Sequence, residues 1–128
     1  MRTIKQYKSC DGKLPVECFI NGLEKKQRRK VYNLLSLVSG DADALKPPHV
    51  KSFRTEKYKG IYELRIRLVK MIRITFYLDG EGDIVLLHAF LKNHERSTEK
   101  ALDASKLKIA EINQAQASIT KLGGVEHA

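Results

Sequence analysis

The sequence predicts an α+β fold in the order β-α-α-β-β-β-α: an antiparallel sheet with two N-terminal helices packed on one face and a C-terminal helix. All the helices are expected on that one face. Three observations carry this. Apolar residues recur at 3–4 spacing in two stretches before residue 40, the period of a helix with one buried side. From residue 61 the spacing drops to two, the period of a half-buried strand. Helical spacing then returns after residue 97.

Each element follows from its residues. Thr3 to Tyr7 reads as a first strand. Asp11-Gly12-Lys13-Leu14-Pro15 is a turn, and Pro15 opens a helix at its first position. Val16, Phe19, Ile20 and Leu23 give that helix its apolar side, with Cys18 read as a core residue. A second helix runs from Glu24 to Val38, with Val31, Leu34, Leu35 and Val38 on one face and Gly40 as its stop. Residues 41–59 read as irregular, since Pro47-Pro48 forbids a helix.

In the next strand, Tyr62, Leu64, Ile66 and Leu68 alternate with Glu63, Arg65 and Arg67. In Met71 to Leu78, Ile72, Ile74, Phe76 and Leu78 point one way, and Arg73, Thr75 and Tyr77 the other. Asp79-Gly80-Glu81-Gly82-Asp83 is a turn. Ile84 to Phe90 is apolar on both faces and reads as a buried strand. The last helix is expected from an N-cap at Ser97 to Gly123-Gly124, with Leu102, Ser105, Ile109, Ile112, Gln116 and Ile119 as its stripe. At 128 residues the chain is expected to form a single domain, 1–128, with 122–128 a frayed tail.

Composition excludes several classes. No apolar run approaches the ~18–20 residues of a membrane span. The N-terminus has no apolar signal region. The two cysteines, Cys10 and Cys18, lack metal-site or disulfide-framework spacing. A cytoplasmic protein with no membrane association is the expectation. No two histidines have ligand spacing, so neither a metal nor a cofactor is expected.

The formal net charge is +9. It is concentrated in residues 46–73, which carry nine basic and two acidic groups, net +7. Such an excess favours an anionic partner. The run Lys25-Lys26-Gln27-Arg28-Arg29-Lys30 reads as a solvated helix face. Alternation, by contrast, puts Arg65, Arg67, Arg73, Thr75 and Tyr77 on one sheet face. Like charges opposite one another destabilise a hairpin. Either an anion is meant to occupy that face, or Glu63 neutralises it. Lys57, Lys59 and Lys92 are placed at its rim.

Phosphate recognition suits this chemistry, because the arginine fork matches phosphate geometry. RNA cleavage by its own 2′-hydroxyl needs a base, a cation for the pentavalent phosphorus and an acid for the leaving oxygen. Lysine and arginine can fill these roles, since crowded cations depress one another's pKa. A basic sheet that only binds nucleic acid fits these residues equally well. His88 reads as a satisfied core residue. His94, in Lys92-Asn93-His94-Glu95-Arg96, is better placed for acid–base work. His49 follows two prolines, and His127 lies near the end.

Three segments together resemble a known family: Gly60-Ile61-Tyr62-Glu63-Leu64-Arg65-Ile66-Arg67, Arg73-Ile74-Thr75-Phe76-Tyr77, and Ile84-Val85-Leu86-Leu87-His88-Ala89-Phe90-Leu91-Lys92. They are similar to the HigB-like, phage-related branch of the RelE/ParE toxin superfamily, over residues 1–112. The resemblance implies a RelE-like fold and the toxin of a type II toxin–antitoxin pair. It implies metal-independent cleavage of mRNA, commonly on the ribosome. It also implies a cognate antitoxin with an acidic contact surface and a helix-turn-helix.

Carried over by position, Arg65 would stabilise the transition-state phosphate, and Lys92 matches the lysine after the last strand. Lys57 and Lys59 match a basic pair that supplies base or substrate contacts. Arg73 matches an arginine of the second hairpin strand. Arg67, Arg73, Lys70 and Arg54 are the expected RNA contacts. RelE-type members place a catalytic tyrosine after the last strand; no tyrosine follows Phe90 here, and His94 is the candidate to replace it. A ParE-like, non-enzymatic gyrase inhibitor and a non-catalytic RNA-binding phage-related protein are the alternatives.

Overall fold

The computed structural model describes residues 1–123. Its elements are β1 (Ile4–Lys8), α1 (Pro15–Asn21), α2 (Lys25–Gly40), β2 (Val50–Ser52), β3 (Tyr62–Arg67), β4 (Met71–Leu78), β5 (Ile84–Leu91), α3 (Glu95–Asn113) and β6 (Ser118–Lys121). Short 3₁₀ turns at Ala42–Ala44 and Glu56–Tyr58 flank β2. The α+β class holds. Six strands form one sheet in the order β2-β3-β4-β5-β1-β6. It is antiparallel except where β1 runs parallel to β5.

The helices begin where local chemistry allows. Pro15 occupies the start of α1. At α2, Glu24 and Gln27 form a capping box, the Gln27 Oε1 accepting from the Glu24 N–H at 3.2 Å. Val16, Ile20, Val31, Leu35 and Val38 of these two helices are fully buried against Ile4, Leu64, Ile66, Ile72, Ile74, Phe76 and Ile84 of the sheet. This inner face is the main core. Truncating one of its members, such as Leu35 to alanine, costs about 2–5 kcal/mol.

The helices do not all share one face. A second cluster on the outer face joins Tyr7, Val85, Leu87 and Tyr77 to Ile109 and Ile112 of α3. β5 reaches both layers because it is apolar on both sides. Its pairing with β4 shifts between Thr75 and Phe76, so that Thr75 faces His88 and Phe76 faces Leu86. The crossing of α3 over the sheet is close because small residues line it. Ala101 and Ser105 are buried, and the Ser105 and Thr75 hydroxyls lie 2.6 Å apart.

Two strands depart from the expected order. β2 is three residues long, within a stretch read as irregular. β6 falls in the stretch read as the end of the last helix. α3 stops at Asn113, and Ala115 takes a left-handed conformation, φ 58°. The chain then doubles back, with the Gln116 N–H donating to the Glu111 carbonyl at 2.7 Å. Ile119 returns to the same cluster as Ile109 and Ile112. A strand residue thus continued the helical stripe by coincidence of spacing.

Smaller differences have local causes. α3 begins at Glu95, before Ser97, with His94 at its N-cap position and no side-chain cap. Gly40 is the last residue of α2 and does not lie beyond it. Cys18 is exposed, on the outward side of α1. Of the expected tail, Leu122 is buried, and its N–H donates to the Ile4 carbonyl at 3.0 Å. Residues 124–128, including His127 and Gly124, lie outside the described residues.

Candidate functional site

The outer face of β3 and β4 carries the expected basic residues. Strand pairing sets Arg65 directly opposite Arg73, Glu63 opposite Thr75, and Arg67 opposite Met71. The like-charged pair is reconciled by Glu63. Its Oε1 lies 3.2 Å from Arg65 Nε and 3.4 Å from Arg73 Nε, and its side chain is 1% exposed. Of the two possibilities left open by the sequence, neutralisation by Glu63 operates for this pair.

The two arginines differ in access. Arg73 is 2% exposed, and its Nη1 donates to the Ile72 carbonyl at 3.3 Å. Burial pushes its guanidinium below the ordinary range, Glu63 pulls it back, and Arg65 and Arg67 oppose it further. Placed there, Arg73 is a buried counter-charge and does not present its head to a bound strand. Arg65 keeps 23% of its side chain open to solvent. Arg67 and Lys70 are exposed at the β3–β4 turn.

Lys92 follows β5 directly. Its backbone N–H donates to the Met71 carbonyl at 2.8 Å, which sets it in the same row of the sheet as Arg67. His94, two residues on, is exposed at the start of α3. The positive end of that helix dipole adds to the local field. Arg65, Arg67, Lys92 and His94 therefore gather at one end of the outer face, whereas Lys70, an expected RNA contact, lines a groove with Cys18, Phe19 and Gln27 on the side covered by α1 and α2. Arg54 is exposed just past β2, at the far edge strand.

Lys57 and Lys59 belong to another part of the face. They sit at and after the 3₁₀ turn that leads into β3. Tyr58 of that turn donates to Asp103 Oδ1 of α3 at 2.6 Å, and Lys57 Nζ lies 3.6 Å from the same carboxylate oxygen. His94 and Asp103 are nine residues apart, roughly 14 Å along the helix. The sequence-predicted residues thus fall into a group around Arg65 and a group around Lys57, with Arg54 and Lys70 in neither.

The protonation pattern differs from a set of mutually depressed lysines. Tyr58 and the Asp103 carboxylate hold Lys57 above its ordinary range. The Tyr58 hydroxyl in turn holds Asp103 below the usual carboxylate range. Lys57 is a fixed cation and is poorly suited to be a base. The lysine that burial does push down is Lys108 of α3. Its Nζ donates to the Leu87 carbonyl at 2.8 Å and lies 3.1 Å from His88 Nδ1. Burial, then the Lys108 charge, lower the His88 imidazole to about 4. His88 is thus a neutral, half-buried member of the α3–sheet contact.

Sequence reading missed Tyr58, Asp103 and Lys106. Their signal was faint: a tyrosine between two lysines, and an Asp–Lys pair three residues apart on the exposed side of α3. The basic run of α2 faces elsewhere. Lys26, Arg29 and Lys30 edge a groove floored by Leu34, Leu37 and Leu68. Among the described residues, no group of three or more His, Cys, Asp or Glu is arranged to hold a metal ion. No helix among them is long and apolar enough to cross a membrane.

Fold and face together define a RelE-like α+β protein with a basic outer sheet surface. Comparison with family models is more specific. Residues 18–115 match the family described as phage derived protein Gp49-like (DUF891), and the chain belongs to that family. It is a RelE-like, toxin-related family associated with toxin–antitoxin systems, so an antitoxin is the general class of partner. No curated protein matches the chain.

Proposed function

We propose that this protein is the toxin of a type II toxin–antitoxin pair, of the HigB-like kind. It acts in the cytoplasm as a metal-independent endoribonuclease on mRNA held by the ribosome. The observation that carries the reading is Arg65, a partly exposed guanidinium fixed by a buried carboxylate on the same face as Arg67 and Lys92. A preorganised cation of this kind stabilises the charge that develops on a phosphate during transfer.

In the reaction, the 2′-hydroxyl of the preceding ribose attacks phosphorus and loses its proton. The P–O bond to the 5′-oxygen breaks, and that oxygen takes a proton. A 2′,3′-cyclic phosphate and a 5′-hydroxyl result. Arg65 and Lys92 hold the phosphate oxygens, and His94 is the acid–base group nearest in sequence to Lys92. Arg67 and Arg54 contact flanking phosphates. Lys57 and Lys59 hold the strand further along, while Arg73 positions Arg65 through Glu63. The cognate antitoxin meets this basic surface with an acidic one and carries a helix-turn-helix.

Mapping transcript 5′ ends after brief induction tests the reading. New ends inside coding frames, absent with the Arg65→Ala, Lys92→Ala double variant, support it. Growth arrest with intact transcripts and filamentation would instead indicate a gyrase inhibitor. Salt-dependent RNA binding without arrest or cleavage would indicate a non-catalytic binding protein.

A further inference from the structure

Lys26, Arg29, Lys30, Asn33, Leu34 and Leu37 recur at intervals of three and four. They therefore form one stripe along α2, roughly 16 Å long. That stripe and Leu68, just past β3, line a groove of about 520 Å³. The groove is graded: cations stand toward the N-terminal end of α2, and Leu34, Leu37 and Leu68 make an apolar floor toward the other. Leu37 is 42% exposed, while Val31, Leu35 and Val38 of the same helix are buried. Lys30 Nζ donates to the Arg67 carbonyl at 2.9 Å, which ties α2 to the end of β3.

Two features of this stripe do nothing for the helix that carries it. The positive end of a helix dipole favours acids, yet the first turn of α2 has none. Lys25, Lys26, Arg28, Arg29 and Lys30 crowd there instead, against the dipole. Among the described residues, Lys26, Arg29 and Lys30 form no ion pair with a carboxylate. The second feature is the open apolar floor, extended at its edge by Val69, which is fully exposed. Apolar surface left open and rimmed by polar groups marks a contact site.

We propose that this groove seats an acidic amphipathic helix of a partner protein, lying along α2. Its carboxylates meet Lys26, Arg29 and Lys30, and its apolar stripe fills the space over Leu34, Leu37 and Leu68. A length of roughly 16 Å accommodates about three turns of such a helix. Charge and shape favour this occupant over others. A second copy of the chain would bring the same cations to the rim. A nucleic acid would satisfy those cations and leave the aliphatic floor uncovered. A membrane surface is flat, whereas the groove is concave. Since α2 packs on the inner face of the sheet and Arg65 lies on the outer, both surfaces can be occupied at once.

Fluorescence anisotropy with a labelled peptide of about 14 residues tests it, with leucines at intervals of three and four and glutamates between them. The full chain binds this peptide at least about tenfold tighter than one of the same composition in scrambled order. Leu37→Asp and Arg29→Glu each weaken binding by about fivefold or more, with the circular dichroism of the parent. Lys106→Glu on α3 makes the same change of charge away from the groove and retains the affinity. Equal affinity for the two peptides, binding that survives both groove variants, or equal loss in Lys106→Glu overturns the proposal. A dimer in sedimentation velocity that Leu37→Asp dissolves would assign the groove to a second copy. Binding to phosphatidylglycerol vesicles through Leu37, with no binding of the peptide, would assign it to lipid. Either result overturns the acidic helix. None of these measurements reads cleavage or growth arrest, so the groove and the endonuclease reading stand or fall separately.

Discussion

Arg65 and Arg73 face one another across β3 and β4 and share a single carboxylate oxygen, Glu63 Oε1, at 3.2 and 3.4 Å. The carboxylate offsets the repulsion between the two guanidiniums. The three residues form a charged unit inside a sheet, with only Arg65 reaching solvent to any extent.

Removing the carboxylate should therefore be costly. Glu63→Ala leaves two opposed guanidiniums, one of them enclosed, and breaking a buried pair in this way typically costs about 3–5 kcal/mol. Urea denaturation measures it. A loss below about 1 kcal/mol would mean that the pair carries little of the fold. Replacing all three residues by apolar ones of similar volume should restore stability while abolishing toxicity.

Arg65→Ala should separate activity from folding. Glu63 keeps Arg73 as its partner, so the far-ultraviolet circular dichroism and melting temperature should stay close to the parent. Cleavage should fall about 10²–10³-fold, the usual loss of one transition-state donor. Arg65→Lys should recover only part, because a point charge cannot reproduce the fork. Unchanged cleavage in Arg65→Ala would remove this residue from the reaction.

Acid should unfold the protein in two windows. His88 is held neutral, with its imidazole lowered to about 4. The unfolded chain binds a proton first, near the ordinary value of about 6.5, so stability is lost as pH falls from there toward 4. His88→Asn should flatten that limb. Asp79 is raised by burial, but Lys5 and the Asp83 and Glu81 backbone N–H groups bring it below its ordinary value. Its contribution is present above about pH 4 and is lost as pH drops through the lower folded value. Asp79→Asn should flatten this second limb, measured by denaturation at successive pH values.

Ala115 offers a stabilising change. Its φ of 58° is left-handed, a region that penalises a Cβ. Ala115→Gly should raise stability by about 0.5–1 kcal/mol, the relief of strain exceeding the added freedom of the unfolded chain. A lower melting temperature would mean that the turn holds this conformation without strain.

Much of this arrangement was legible in the residues. Period two placed Glu63, Arg65, Arg67 and Arg73 on one face, and the strand pairing agrees. What alternation cannot say is how much of a face lies open. It gave Arg73 and Arg65 the same face, yet one is enclosed and the other is partly open. The link from Tyr58 to Asp103 spans 45 residues and depends on where α3 crosses the sheet. No local pattern encodes that. β6 was missed because Ile119 keeps a helical interval after Ile112 while reaching its cluster along a strand.

The position of β1 has a consequence in time. It is the first strand to be synthesised, yet it lies between β5 and β6, the last two. Its Ile4 pairs with Ile84, and its Lys5 with Lys121. One edge of β1 waits for β5 at residues 84–91, and the other for β6 at residues 118–121. A growing chain therefore carries Arg65 and its neighbours on an unfinished sheet. A chain that ends before residue 118 lacks the pairing to close it. The sheet that carries Arg65 is therefore closed at both edges of β1 only when the last strand, β6, has been made.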